Sequence, residues 1–196
     1  MNLNDYFSPV ALNKPDDAFY PEDYYLSKNI HVNTPNTPIG RLHDFDVAIM
    51  GIPEDRNGEF KGNALAPDAI REKLYLLRNV SDDLKIIDLG NLKPGETVSD
   101  TYYGIQSVLQ ELMEYDLNVI LIGGSNDLEL GAYMAFEKTA KQINTVTIDP
   151  RIDYSPENKL LSSYAYMNNV LGKKHVKMYT NLAHQIYFTN PYVHQK

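Results

Sequence analysis

Short apolar, β-branched runs alternate with helix-period segments along most of the chain. Residues 119–122 and 146–148 each end abruptly in a polar cluster, and a helical segment of crossover length separates them, which predicts a βαβ unit. Further strands are predicted near 46–50, 85–89 and 176–180, and the unit's second strand from residue 145. Ala66 and Pro67 open a helix whose apolar face is Ile70, Leu74 and Leu77, because proline in the first turn removes an amide that has no partner there. Ser99 or Asp100 is expected to cap a helix presenting Ile105, Val108, Leu109, Leu112 and Met113, and Asp127 to cap one beginning at Leu128. Leu160, Tyr164, Met167 and Leu171 predict another helix, with Gly172 as its C-cap. Gly90 is read as the stop of the second strand, and Asp88 before it as a turn or cap acceptor. Alternating strand and helix predicts an α/β domain over residues 46–196 with a mostly parallel sheet.

Residues 1–45 lack this periodicity. They hold Pro9, Pro15, Pro21, Pro35 and Pro38, together with Tyr6, Phe7, Phe19, Tyr20, Tyr24 and Tyr25. Prolines argue for an extended, irregular arm, and the aromatics argue that it lies over the domain's own surface rather than trailing in solvent.

Composition narrows the function classes. At 196 residues the length suits one large α/β domain, and 43% hydrophobic residues supply a core. A formal net charge of −8 disfavours nucleic acid and anionic membrane surfaces as partners. With no cysteine there is no disulfide and no thiol nucleophile, which fits a cytoplasmic setting, and no signal peptide is legible near Met1. The glycines at 51, 58 and 62 have neither phosphate-loop nor dinucleotide spacing, so no nucleotide cofactor is expected. Ser125 lies in no nucleophile elbow, and His31, His43, His175, His184 and His194 have no metal-site spacing.

In an open parallel sheet, ligands bind outside the carboxyl ends of the strands. Residues 123–127 and 149–153 are therefore expected side by side at one crevice, with Asn126, Asp127 and Arg151 as its candidate chemistry.

These motifs resemble the ureohydrolase superfamily, the arginase, agmatinase and formimidoylglutamase group. Residues 46–55 with Gly62, Ala66, Pro67, Ala69, Ile70 and Arg71 resemble its opening strand and helix start. Residues 119–127 resemble the strand leading into Gly-Gly-Asp-His-Ser, residues 146–153 the one leading into Asp-Ala-His-x-Asp, and residues 181–185 an Asn-Ile-Gly-x-Gln segment. The resemblance implies a three-layer α/β/α fold, here incomplete at its C-terminal end. It places two later strands between the strand ending at Ile122 and the one ending at Ile148. Without them, the chain is expected to expose apolar sheet edge, and so to self-associate, bind a protein partner, or belong to a longer protein.

The resemblance also implies a two-manganese cluster whose bridging hydroxide attacks a guanidinium or formimino carbon. At the ligand positions Asp149 and Asp153 are retained, whereas Asn126 and Arg151 stand where the family has histidines, and Ser125 where it has an aspartate. An arginine has no lone pair and a permanent charge, so it repels a metal ion. The expectation is a domain without manganese or another cofactor, acting as a structural or interaction module, with Arg151 as internal counter-charge to the carboxylates. The alternatives are a metal-dependent hydrolase of C–N bonds in guanidino or formimino compounds, using Asn126, Asp127, Asp149 and Asp153, and a binder of a small carboxylate ligand through Arg151.

Overall fold

Strand β3, Val47–Gly51, lies inside a parallel block and is paired on both sides. In the computed structural model, which describes residues 1–10, 24–157, 161–189, 191 and 193, it is preceded by β1 (Phe7–Ser8), α1 (Leu26–Asn29) and β2 (Ile30–Val32). After it come α2 (Ala66–Leu74), β4 (Ile86–Leu92), α3 (Val98–Leu112), β5 (Asn118–Ile122), α4 (Glu129–Lys138), β6 (Ile143–Ile148) and β7 (Val176–Leu182). Strand β3 runs parallel to β4, with Val47 opposite Ile86, and to β5, with Val47 opposite Asn118.

Alternation along β3 and β4 sends side chains to two different layers, as a pleated strand must. Ala48, Met50, Ile87 and Leu89 face Ile105, Val108 and Leu112 of α3 and Ala135 of α4 in the larger core. Ile49 and Ile122 face the other way, toward Tyr75 and Leu74 at the end of α2 and toward Ile30 and Val32. The result is three layers, helices on both faces of a mostly parallel sheet, as the alternation of strand and helix predicts.

The βαβ expectation is corrected in one respect. Strands β5 and β6 do not share a sheet: β5 belongs to the block β1-β4-β3-β5, with β2 also on β4, while β6 pairs only with β7, in parallel. Each strand therefore hydrogen-bonds on one side only among the described residues. A local pattern of apolar and polar residues predicts a strand and a crossover but carries no information on which strand pairs with which.

The N-terminal stretch contributes to the sheet. Phe7 is antiparallel to Leu92, Ile30 is parallel to Ile86, and Leu3, Phe7, Val10 and Tyr25 are buried. Phe19, Tyr20, Pro15 and Pro21 lie outside the described residues. Strand β4 runs through Gly90 instead of stopping there, because Asn91 and Leu92 pair with β1. Gly90 has φ 93°, and a Cβ there would meet the Ser8 carbonyl oxygen at 2.3 Å, so the arm approaches closely only because the side chain is missing.

Three helix readings change. Ile70 on α2 is exposed, as is Leu77, which lies beyond its end, and the buried face is Pro67, Arg71 and the following Tyr75. On α3 the cap is Thr97, not Ser99, with Asp100 closing a capping box: Thr97 Oγ1 accepts from the Asp100 amide at 3.2 Å and Asp100 Oδ2 accepts from the Thr97 amide at 2.8 Å. The helix predicted from Leu160 to Leu171 is reduced to a 3-10 turn, Tyr166–Asn169; Leu160 itself lies outside the described residues. The Asn168 side chain binds the Ser155 amide and carbonyl at 3.0 and 2.7 Å, which holds this segment in a non-helical path. Its apolar residues Tyr166, Met167 and Val170 pack instead with Tyr133 of α4. No helix among the described residues is long and apolar enough to cross a membrane.

Candidate functional site

The loop after β3 is stitched to the loop after β5. Ile52 donates its amide to Ile122 O at 2.8 Å, and Ser125 donates to Glu54 O at 3.1 Å. Gly124 permits this closeness, since a Cβ there would lie 1.8 Å from the Glu54 carbonyl oxygen. Glu54 is buried beside the strand ends. Burial works to raise its carboxyl, but the Arg56 guanidinium and amide and the Thr101 hydroxyl outweigh that and hold it below the usual carboxylate range. Arg56 also donates to the carbonyls of Gly95 and Glu96 at 2.9 and 2.6 Å, which ties the loop to the start of α3.

Asp127 caps no helix. It is fully buried and accepts from the Tyr102 hydroxyl, which in turn accepts from Asn57 Nδ2 at 2.9 Å. Its Oδ1, like the buried Ser125 Oγ, has no hydrogen-bond partner among the described residues. Asp127 thus fixes the turn from beneath and directs no charge outward, while its neighbour Asn126 faces the crevice.

The carboxyl ends of β5 and β6 do converge there. Asn126 Nδ2 donates to Asp153 Oδ2 at 3.2 Å, and Arg151 Nε lies 3.8 Å from Asp153 Oδ1. The Arg151 guanidinium stacks on Tyr164, 4.7 Å from the ring centroid, so it is held over an aromatic face and not extended into solvent. Asp149 is engaged by backbone: its Oδ1 accepts from the Arg151 amide at 2.7 Å. Asn181 of β7 donates to Arg151 O at 2.7 Å and anchors the same turn. The arginine side chain therefore meets one of the two carboxylates, and the peptide of that same residue meets the other.

Burial pushes the Asp153 carboxyl up, against the pull of the Asn126 hydrogen bond and the Arg151 charge. Glu129, at the start of α4, accepts from the Tyr166 hydroxyl at 3.1 Å. Loss of hydration raises its carboxyl; the Tyr166 bond tempers this, as does solvent at its outer edge, and the charges of Asp153 and Asp149 add to it. Tyr102, Glu129 and Tyr166 carry no motif and come from three separate segments, and Glu54, though inside the stretch 46–55, is not marked there as a site residue, so sequence reading does not single them out.

Among the described residues, no group of three or more His, Cys, Asp or Glu is placed to hold a metal ion. Of the histidines, His31 meets Pro38 O at 3.2 Å, His43 packs on Tyr115, His175 is buried and His184 meets Thr189 at 2.6 Å; His194 lies outside the described residues. At the crevice the Asn126 amide oxygen, Asp149 and Asp153 are oxygen donors of the kind that suits manganese, whereas the Arg151 guanidinium among them offers no lone pair and carries a positive charge.

A mostly parallel sheet with helices on both faces and a crevice outside its strand ends defines an open-sheet α/β domain. The model of the Arginase family matches residues 45–177, and the chain belongs to that family. Solved structures share the fold. Trypanosoma cruzi formiminoglutamase with Mn2+ superposes with a TM-score of 0.72 at 22% identity, over 80% of this chain and 58% of that one. Bacillus subtilis formimidoylglutamase gives 0.74 at 14% identity, over 94% and 60%. Arginase from Medicago truncatula gives 0.66 at 16%, over 76% and 52%. The chain thus spans little more than half the length of these relatives. No curated protein matches it in sequence.

Proposed function

We propose that this arginase-family domain does not assemble the dinuclear manganese site and serves as a structural or interaction module. The observation that carries the reading is the engagement of Asp153: the carboxylate that would face a cation instead holds Asn126 Nδ2 at 3.2 Å and the Arg151 guanidinium at 3.8 Å. An internal cation with no lone pair neutralises the crevice without recruiting a metal ion. The absence of cysteine fits a cytoplasmic setting for such a module.

A second reading is favoured by the surplus of carboxylates, since Asp149, Asp153 and Glu129 outnumber Arg151. On that reading the domain is a metal-dependent hydrolase of C–N bonds in guanidino or formimino compounds, with an oxygen-rich site at Asn126, Asp149 and Asp153. Turnover assays separate the two. The purified chain is incubated with excess Mn2+ and guanidino or formimino substrates, and release of urea, ammonia or formamide is followed. The module reading expects no turnover above the metal-only control, and catalytic release abolished by Asp153→Ala would replace it with the hydrolase reading.

A further inference from the structure

Asn57–Gly58 is the one Asn-Gly dipeptide in the chain, and packing accounts for each of its two residues. It lies half-buried in the loop after β3. Asn57 Nδ2 donates to the Tyr102 hydroxyl oxygen at 2.9 Å, and Tyr102 gives its own hydrogen to Asp127 Oδ2. Gly58 is confined on another side: a Cβ there would come within 3.0 Å of Ser125 Cβ and 3.1 Å of the Asp55 carbonyl oxygen. These contacts are internal to the block formed by β3, α3 and the turn after β5.

An asparagine followed by glycine is set up for an intramolecular reaction, because glycine has no side chain to shield its amide nitrogen. The Gly58 nitrogen bonds to Asn57 Cγ, the Cγ–Nδ2 bond breaks, and Nδ2 departs as ammonia with the hydrogen that Gly58 gives up. Water then opens the cyclic imide at either carbonyl, leaving aspartate, or isoaspartate with the main chain rerouted through the side chain. In the folded protein both reactants are engaged elsewhere. The Gly58 amide donates to Asp55 O at 2.9 Å, Tyr102 holds Asn57 Nδ2, and Asn57 O accepts from the Ser163 amide at 3.3 Å.

We infer that Asn57 is a self-modification site, locked by the Tyr102 hydroxyl, whose conversion to a carboxylate loosens the turn that carries Asn126. Burial, and then the Asp127 bond, raise the Tyr102 hydroxyl above its ordinary value, so it keeps its single hydrogen. With that hydrogen given to Asp127, a carboxylate at position 57 has nothing to donate to the hydroxyl oxygen and nothing to accept from it. Two carboxylates then flank one buried hydroxyl, and the oxygen loses its donor. Turn 125–127 rests on this same hydroxyl through Asp127, so a displacement of Tyr102 passes to Asn126. Isoaspartate also adds a main-chain carbon to the turn that the Gly58 amide closes on Asp55 O, and shifts the loop from Ser125 and Ser163.

The test is to age the chain at mildly alkaline pH, folded and in urea, and to locate converted residues by peptide mass spectrometry with isoaspartate resolved by chromatography. The unfolded chain should convert first at Asn57, and the folded chain several times more slowly. Folded Tyr102→Phe should convert roughly fivefold faster than folded wild type, the factor that one net hydrogen bond is worth. Asn57→Gln should stay unmodified at that position, since its longer side chain would have to close a larger ring. Asn57→Asp carries the product without the reaction, and should displace the Asn126 side-chain amide signal in nitrogen–proton spectra. Equal rates in folded and unfolded wild type, or a folded Tyr102→Phe that converts no faster, overturn the lock. Conversion of other asparagines in urea with Asn57 intact overturns the site, and an Asn126 signal unmoved in Asn57→Asp overturns its link to the crevice. Should circular dichroism show that Tyr102→Phe does not fold, the two states of the wild type and Asn57→Asp still decide. No readout involves manganese, so failure here leaves the metal-binding claim where it stood.

Discussion

Breaking the buried Arg71–Asp88 pair should destabilise the domain severely, and removing both charges should cost less than the sum. Asp88 is wholly buried on the α2 side of β4 and Arg71 is 2% exposed. The pair is bidentate, with Nε to Oδ2 and Nη2 to Oδ1 both at 2.8 Å. Asp88 further accepts from the Tyr75 hydroxyl at 2.8 Å and the Gly90 amide at 2.9 Å, while Arg71 also reaches Gly90 O at 3.1 Å. Arg71→Met preserves the length of the side chain and leaves a carboxylate without its cation in a dry layer, which costs about 3–5 kcal/mol. That is a large part of the roughly 5–15 kcal/mol by which domains are stable. Asp88→Asn keeps an acceptor for Tyr75 or Gly90 but strands the guanidinium, and should fall in a similar range. In the double variant neither charge is orphaned, so its loss should be smaller than the sum by more than about 1 kcal/mol. Urea titrations followed by circular dichroism on the four proteins give the cycle. Single losses under about 1 kcal/mol, or losses that add within about 0.5 kcal/mol, would refute the claim that this pair holds α2 to the sheet.

Two other outcomes follow from the same geometry. Thr97→Ala opens the capping box of α3 and should cost about 1 kcal/mol in a thermal or chemical melt, with no change expected at the crevice. Asp153→Asn should stabilise the protein at neutral pH. Burial raises the Asp153 carboxyl, so whatever it contributes to stability is present below the ordinary carboxylate range and lost as pH rises through its raised value. The advantage of the variant should therefore shrink toward zero in melts taken at progressively lower pH, and a constant advantage across pH would count against the assignment.

Much of the sheet was legible because period-two and period-3.6 patterns report which face a residue turns to the core. Ile105, Val108, Leu109 and Leu112 are all buried on α3, as their spacing predicts. The pattern fails where a polar group is buried with a partner distant in sequence. On α2 the spacing selects Ile70, yet Arg71 takes the inward position because Asp88, seventeen residues later, satisfies it. It fails again at residues 164–171, where apolar spacing fits a helix equally well as a turn fixed by Asn168. Strand pairing lies beyond local pattern altogether, and β5 and β6 show it. At the crevice the family motifs marked Asn126, Arg151 and Asp153, and the structure brings those three together. Glu129 and Tyr166 join them only through the packing of α4 on the 166–170 turn.

Calorimetric titration of the metal-free chain with Mn2+ tests the central claim most directly. With the Asp153 carboxylate engaged by Asn126 and Arg151, the account predicts no saturable heat and no manganese retained through gel filtration, by elemental analysis. Stoichiometric, tight binding that is lost in Asp153→Ala would contradict it.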